Sequence, residues 1–295
     1  MSTRLEEIAF EAIGTHWQIT LNHVPVGFEA APLFDQIRAR IEQFEDTYSR
    51  FRPQSLLTKI SQQAGEYQLP NDAEPLFSLY QKLYHATEGA FTPLIGQALA
   101  DAGYDSKYSL HSKSPQQVLS WDDALIYDFP KLIVKRPVLL DFGAAGKGYI
   151  IDIVSNLIQQ SSIDHFFINA GGDIYYHNPQ NHPLSVGLEH PHNKKQVIGI
   201  AQIDNQSICG SAGNRRQWAG FHHIINPHNL QSPRHIEALW VIAKEVMIAD
   251  ALATCLFFVS AISLTKDYNF EYLIMYSDSS IEKSPHFPAE LFIRE

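Results

Sequence analysis

Apolar positions change their period along this chain, with helical spacing prominent early and strand-like runs prominent late. From Ile8 to Leu21 apolar and polar residues alternate around Gly14-Thr15, which predicts two strand segments or one bulged strand at a close main-chain approach. Leu33, Ile37, Ile41 and Phe44 then recur at helical spacing, predicting a helix over 28–44 with Arg38, Arg40 and Glu42 turned outward. The polar stretch Ser49-Arg50-Phe51-Arg52-Pro53 reads as the loop after that helix, its arginines favouring the C-terminal dipole. Leu76, Leu79, Tyr80, Leu83 and Tyr84 form the stripe of a second helix, with Asn71 as its cap and Glu88-Gly89 as its end. Pro93 can open a short third helix through Leu94 and Leu99. Residues 105–120 are polar and aperiodic, a surface loop and the seam if the molecule has two lobes.

Strands dominate from Ala124 onward. The pattern predicts them at 124–127, 132–134, 138–140, 165–170, 174–176, 197–203, 207–211, 238–243 and 271–277, with a short one at 222–226. Two helices interrupt the series. One carries Tyr149, Ile150, Ile153, Val154, Leu157 and Ile158 at helical spacing, and the other is the Ala- and Leu-rich run Ile248 to Val259.

Length and charge narrow the picture. A chain of 295 residues accommodates one large domain or two lobes, and a single domain over 1–295 is expected. Its 22 Lys and Arg stand against 32 Asp and Glu, and the net charge of −10 argues against a nucleic-acid or anionic-membrane partner. A polyanionic small ligand would need a local positive site. Cys209 and Cys255 read as buried thiols. The start lacks a signal peptide's basic and apolar regions, and no stretch reaches the roughly 20 apolar residues of a membrane span, so a soluble cytoplasmic protein is expected.

The candidate chemistry centres on Asp141-Phe142-Gly143-Ala144-Ala145-Gly146-Lys147-Gly148, a Gly-rich turn that opens a helix. Gly143, Gly146 and Gly148 are expected to permit positive φ and close approach to a ligand, and the N–H groups of the helix start attract an anion. A P-loop would need Gly where Asp141 stands and Ser or Thr where Gly148 stands, and the glycine spacing also fails the dinucleotide fingerprint. Taken alone the turn is equally a tight loop without a ligand. Asn169-Ala170-Gly171-Gly172-Asp173 is a second Gly-rich strand end, either a ligand-facing turn or a plain hairpin. The loop with His177, His182, His190 and His192 has no metal-ligand spacing. Asp250 and Thr254, four apart in an apolar helix, supply half an oxygen shell for Mg2+; otherwise they are a helix cap and a back-bonded hydroxyl.

In combination these motifs resemble the ApbE family of flavin transferases, in order from about Ile13 to Val259. The Asp141–Gly148 turn is similar to that family's Asp-x-Gly-x-x-Ala/Gly-Lys-Gly signature, Asn169–Asp173 to its Asn-Ala-Gly-Gly-Asp turn, and 249–254 to its metal helix. Lesser matches are Gly14-Thr15, Ser49-Arg50-Phe51 with Ser55, Gly89-Ala90-Phe91, Ser211-Ala212-Gly213-Asn214 and His223-Ile224-Ile225-Asn226-Pro227.

The resemblance implies an α+β, T-fold-like architecture of mixed sheets flanked by helices, with FAD between two lobes. It also implies cleavage of FAD at its diphosphate, transfer of FMN to a Thr or Ser of an acceptor flavoprotein, and release of AMP. Residue by residue, it implies Mg2+ held by Asp250, Thr254 and the Ala144 carbonyl. FAD would contact Ile13, Phe51, Ala90, Phe91, Thr92, Asp141, Lys147 and Ile225, and His223 would handle the acceptor's proton. Thr92 and Asn226 stand where the family has Asp, and His228-Asn229-Leu230 replaces its Arg-Thr-Gly. FAD hydrolysis to FMN and AMP, which would use the same site residues, and FAD binding with catalysis silenced by the Thr92 and Asn226 changes are the rival expectations.

Overall fold

The alternating N-terminal segment becomes the edge of an eight-stranded sheet in a computed structural model that describes residues 4–213, 217–218 and 220–292. Its strands are β1 (Arg4–Ala12), β2 (Thr15–Val24), β3 (Phe166–Ala170), β4 (Asp173–His177), β5 (Ser207–Ala212), β6 (Ile236–Ala243), β7 (Phe270–Tyr276) and β8 (Ile281–Lys283). They lie side by side in chain order, each antiparallel to the next. The α+β class is the expected one. Mixed sheets were also expected, and here the structure differs: every strand pairing among the described residues is antiparallel, because successive sheet strands pair directly with one another instead of through parallel crossovers.

Four longer helices matter for the site: α1 (Ala30–Tyr48), α2 (Glu74–Ala86), α3 (Gly146–Gln160) and α4 (Val246–Cys255). Strand β6 shows how the layers meet. Leu239, Val241 and Ala243 join the core shared with the helices, while Ala238, Trp240 and Ile242 join a second core on the opposite face. Successive side chains of a strand point to opposite faces, so a run apolar at every position belongs between two layers. The second core is roofed by a three-stranded sheet of Leu184–His190, Asn193–Ile203 and Ala289–Leu291. Another small sheet pairs Gly65–Gln68, Lys131–Val134 and Leu125–Asp128.

Further sequence expectations change. Val138 to Leu140 joins no sheet; Val138 N–H bonds the Ile60 carbonyl and Asp141 N–H bonds the Pro93 carbonyl at 2.7 Å, so the apolar run is a buried connector. Gly143, Gly146 and Gly148 stand outside the left-handed region, and what Gly148 provides is space. A Cβ there would collide with the Val246 carbonyl and lie 2.7 Å from Met247 Cα. Asn214, Arg215 and Arg216 lie outside the described residues. No helix among the described residues is long and apolar enough to cross a membrane.

The close contact at Gly148 lets α3 and α4 exchange carboxylates. Asp152 of α3 accepts the N–H groups of Val246 and Met247, the first two of α4, at 2.9 Å each. Asp250 of α4 accepts the Gly148 N–H in the first turn of α3 at 2.9 Å. Neither helix has a side-chain cap from its own N-cap residue, so each satisfies orphan donors of the other.

Gly148→Ala is expected to force the helices apart and cost about 1–3 kcal/mol, measured as a lower thermal midpoint. The Asp152 carboxyl is pushed up to about 7, by burial first, against the pull of its two N–H partners. The folded chain therefore holds a proton that the unfolded chain releases between the ordinary carboxyl range and pH 7, and this group's contribution falls as pH rises through that window. Urea titrations should show the stability of wild type relative to Asp152→Asn declining from about pH 4 to pH 7; a flat difference would contradict it.

Candidate active site

Two hairpin tips lie side by side at one end of the sheet. Ile13 and Gly14 join β1 to β2 with φ of 53° and 65°, and Gly171 and Gly172 join β3 to β4 with φ of 66° and 101°. Both are two-residue turns whose central residues have positive φ, the geometry that matches strand twist. Gly171 N–H donates to the His16 carbonyl at 3.0 Å, and a Cβ on Gly171 would run into the Thr15 side chain. Ile13 is the costly member, since a β-branched residue in this conformation is strained by about 1 kcal/mol or more.

Beside these tips opens a cavity of about 460 Å3, a volume suited to a small-molecule ligand. The structure brings to its wall every residue that the resemblance implies for FAD, the metal ion or the proton. Ile13 comes from the first tip, Phe51 from the segment after α1, and Ala90, Phe91 and Thr92 from the segment after α2. Asp141, Ala144 and Lys147 come from the central turn, His223 and Ile225 from the segment after β5, and Asp250 and Thr254 from α4. The Ala90–Thr92 segment is held by a left-handed helix end at Glu88 and Gly89, and by Thr87, whose hydroxyl accepts the Phe91 N–H at 2.9 Å.

One part of the wall is charged. The Lys147 ammonium donates to Asp173 at 2.5 Å and to Asp250 at 3.0 Å, and both carboxylate side chains are 5 % exposed. Burial alone would lower the Lys147 ammonium, but the two carboxylates outweigh it and raise it well above the ordinary range. Burial, with Asp173 adding to it, pushes the Asp250 carboxyl up to about 7 against the opposing pull of Lys147. With both carboxyls ionised the cluster has one more negative than positive charge. In the sequence Asp173 is only the end of a Gly-rich turn. Its role depends on the hairpin tip delivering it across to Lys147, 26 positions away in the chain.

Another part is aromatic. The Arg50 guanidinium, read from the sequence as a helix-end charge, is instead buried and ion-paired through Nε to Asp141. It lies 4.2 Å from the Phe51 ring centroid and 5.0 Å from that of Tyr104. Phe51 stacks on Tyr108 at 5.3 Å with an interplanar angle of 12°. Tyr108 belongs to the segment read as an aperiodic loop and Tyr104 stands just before it, where no pattern announces an inward-facing ring. The other Asp141 oxygen accepts the Gly143 N–H at 2.7 Å, so this carboxylate is occupied on both sides.

Adjacent histidines part company. His222 is buried, its Nδ1 accepts the Ile224 N–H at 3.2 Å and its Nε2 donates to the Pro233 carbonyl at 2.7 Å, while burial lowers its pKa. That ring is neutral and structural. His223 faces the cavity. Thr92 accepts the Leu94 N–H at 3.2 Å and so caps the turn at Pro93–Ile95, a task a carboxylate performs equally well. Asn226 holds its own turn by accepting the His228 N–H at 2.9 Å and is not among the residues lining the cavity.

Among the described residues no three His, Cys, Asp or Glu side chains gather as a metal site. The wall carries Asp250 and Asp173, whose carboxylates are held by Lys147 in this structure, together with Thr254 and Ala144, and what each can offer a metal is oxygen. Such a set fits a hard cation that takes its remaining ligands from phosphate and water.

The sequence model of the ApbE family matches residues 13–271. A FAD:protein FMN transferase of Klebsiella pneumoniae (strain 342) is 26 % identical over 242 residues, 74 % of this chain and 72 % of that protein. One of Treponema pallidum (strain Nichols) is 24 % identical over 276 residues, 83 % of this chain and 76 % of that protein. The crystal structure of the ApbE protein of Thermotoga maritima has a TM-score of 0.84 at 21 % identity, covering 96 % of this chain and 97 % of that one. The flavin transferase ApbE of Vibrio cholerae gives 0.80 at 19 % identity, with 96 % and 97 % covered; these two likenesses establish the fold.

Lys147→Met would leave Asp173 and Asp250 buried without their cation and should destabilise the protein by about 3 kcal/mol or more. Adding Asp173→Asn should recover part of that loss, because one of the two stranded charges is removed. Thermal unfolding of both variants in metal-free buffer checks the order; equal midpoints would exclude the coupling.

Proposed function

The chain belongs to the ApbE family, and we propose that it is a Mg2+-dependent FAD:protein FMN transferase, which cleaves the FAD diphosphate, attaches FMN to a Thr or Ser hydroxyl of an acceptor flavoprotein and releases AMP. The observation that carries this reading is the joining, in one cavity, of a Lys–carboxylate cluster and an aromatic wall. A flavin dinucleotide has both complementary parts, an anionic diphosphate and a large planar ring.

Asp250, Thr254 and the Ala144 carbonyl would hold the metal ion. When bound it supplies charge neutralisation at the diphosphate oxygens. The excess of carboxylate over ammonium in the cluster supports that requirement, since a diphosphate would otherwise meet a site of its own sign. Lys147 remains paired to Asp173 and faces the phosphate oxygens with its remaining donor capacity. His223, on the cavity wall, takes the proton from the acceptor hydroxyl as it attacks the phosphorus of the FMN half, and AMP leaves with the electron pair of the broken P–O bond. Phe51, Tyr104 and Tyr108 hold the ring and keep water from its face.

Incubation with FAD, Mg2+ and candidate acceptor domains should yield protein-bound flavin fluorescence that survives a denaturing gel. FMN found only in solution would overturn transfer in favour of hydrolysis, and FAD bound without AMP release would identify a silent binder. Asp250→Ala should abolish turnover. His223→Ala should lower it by about 10²–10⁴-fold with FAD affinity retained.

A further inference from the structure

Arg50 has more donors than the fold uses. Its side chain is 3 % exposed and lines the cavity, Nε is committed to Asp141, and Nη2 is buried with no acceptor among the described residues. A buried guanidinium N–H without a partner has given up its bond to water and gained none in return. Its persistence on a cavity wall points to a ligand atom.

Three features say what kind of atom. The ion pair with Asp141 leaves the guanidinium electrically balanced, so it offers directional N–H groups and little net attraction for a phosphate. The groups around it are rings, Phe51 at 4.2 Å and Tyr104 at 5.0 Å, with Tyr108 stacked beyond Phe51. The available ammonium belongs to a separate cluster with Asp173 and Asp250. A planar heteroaromatic ring lying against these aromatics would bring its edge, not its face, to the guanidinium plane. An acceptor on that edge completes Nη2.

We propose that Arg50, positioned by Asp141, recognises a carbonyl oxygen on the pyrimidine edge of the isoalloxazine. The assignment rests on FAD being the substrate. It also gives Asp141 a role that its geometry permits: both carboxylate oxygens are occupied within the chain, so Asp141 acts on the ring through Arg50. Adenine has no ring carbonyl. The contact therefore orients the dinucleotide, with the flavin at the aromatic wall and the diphosphate toward Lys147.

Arg50→Lys keeps a cation beside Asp141 and removes the planar second donor. Binding of riboflavin, which has the ring and no phosphate, is compared with binding of ADP, which has the diphosphate and no flavin, by fluorescence quenching and calorimetry. Riboflavin should bind at least tenfold more weakly to Arg50→Lys, with ADP affinity unchanged and the visible absorption of bound flavin shifted. Arg50→Gln, which retains a side-chain N–H donor, should restore part of the riboflavin affinity. A loss confined to ADP, an equal loss of both ligands, or no loss of either would overturn the assignment, as would wild type binding FAD without measurable affinity for riboflavin. Wild type that fails to bind FAD at all would instead overturn the transferase reading on which the assignment rests.

Discussion

The exchange of carboxylates between α3 and α4 is the interaction on which the site depends. Asp152 satisfies the first N–H groups of α4 while Asp250 satisfies one in the first turn of α3. Helices placed this closely need a residue without a side chain at the contact, and Gly148 supplies it. The consequence reaches the cavity wall. Asp250 is held with one oxygen on the main chain of α3, which leaves the other directed to Lys147.

From that joint the two poles of the cavity follow. The central turn ends in Lys147 and begins at Asp141, so the same short stretch anchors the carboxylate cluster at one end and Arg50 at the other. The β3–β4 tip brings Asp173 to the first pole, and the segment after α1 brings Phe51 to the second. A ligand spanning both would read charge and planarity together, which neither pole could do alone.

Much of this was legible in the residue pattern, and its limits have physical causes. Composition placed α4, and periodicity placed α1, α2, α3 and the strand segments around Gly14, because each of these buries a face along its own length. It misplaced Val138–Leu140, since a short and largely buried apolar run looks the same in a strand and in a connector. It read Arg50 as a helix-end charge, since nothing local to Ser49–Pro53 records that Asp141 lies opposite, 91 positions later. Tyr104 and Tyr108 lacked any signal, for a loop residue has no period to show which way it faces.

The sequence by itself determined the ingredients: the Gly-rich turns, the lysine within the first of them, the Asp250–Thr254 pair and the helix and strand faces, because these rest on local backbone chemistry and spacing. Tertiary structure decided their meaning. Gly148 matters for the approach of another helix and not for its own φ, Asp173 matters because a hairpin tip carries it to Lys147, and Arg50 matters because Asp141 turns it toward the cavity. Each is a contact between residues distant in the chain, and only the packing of helices against the sheet brings them within reach.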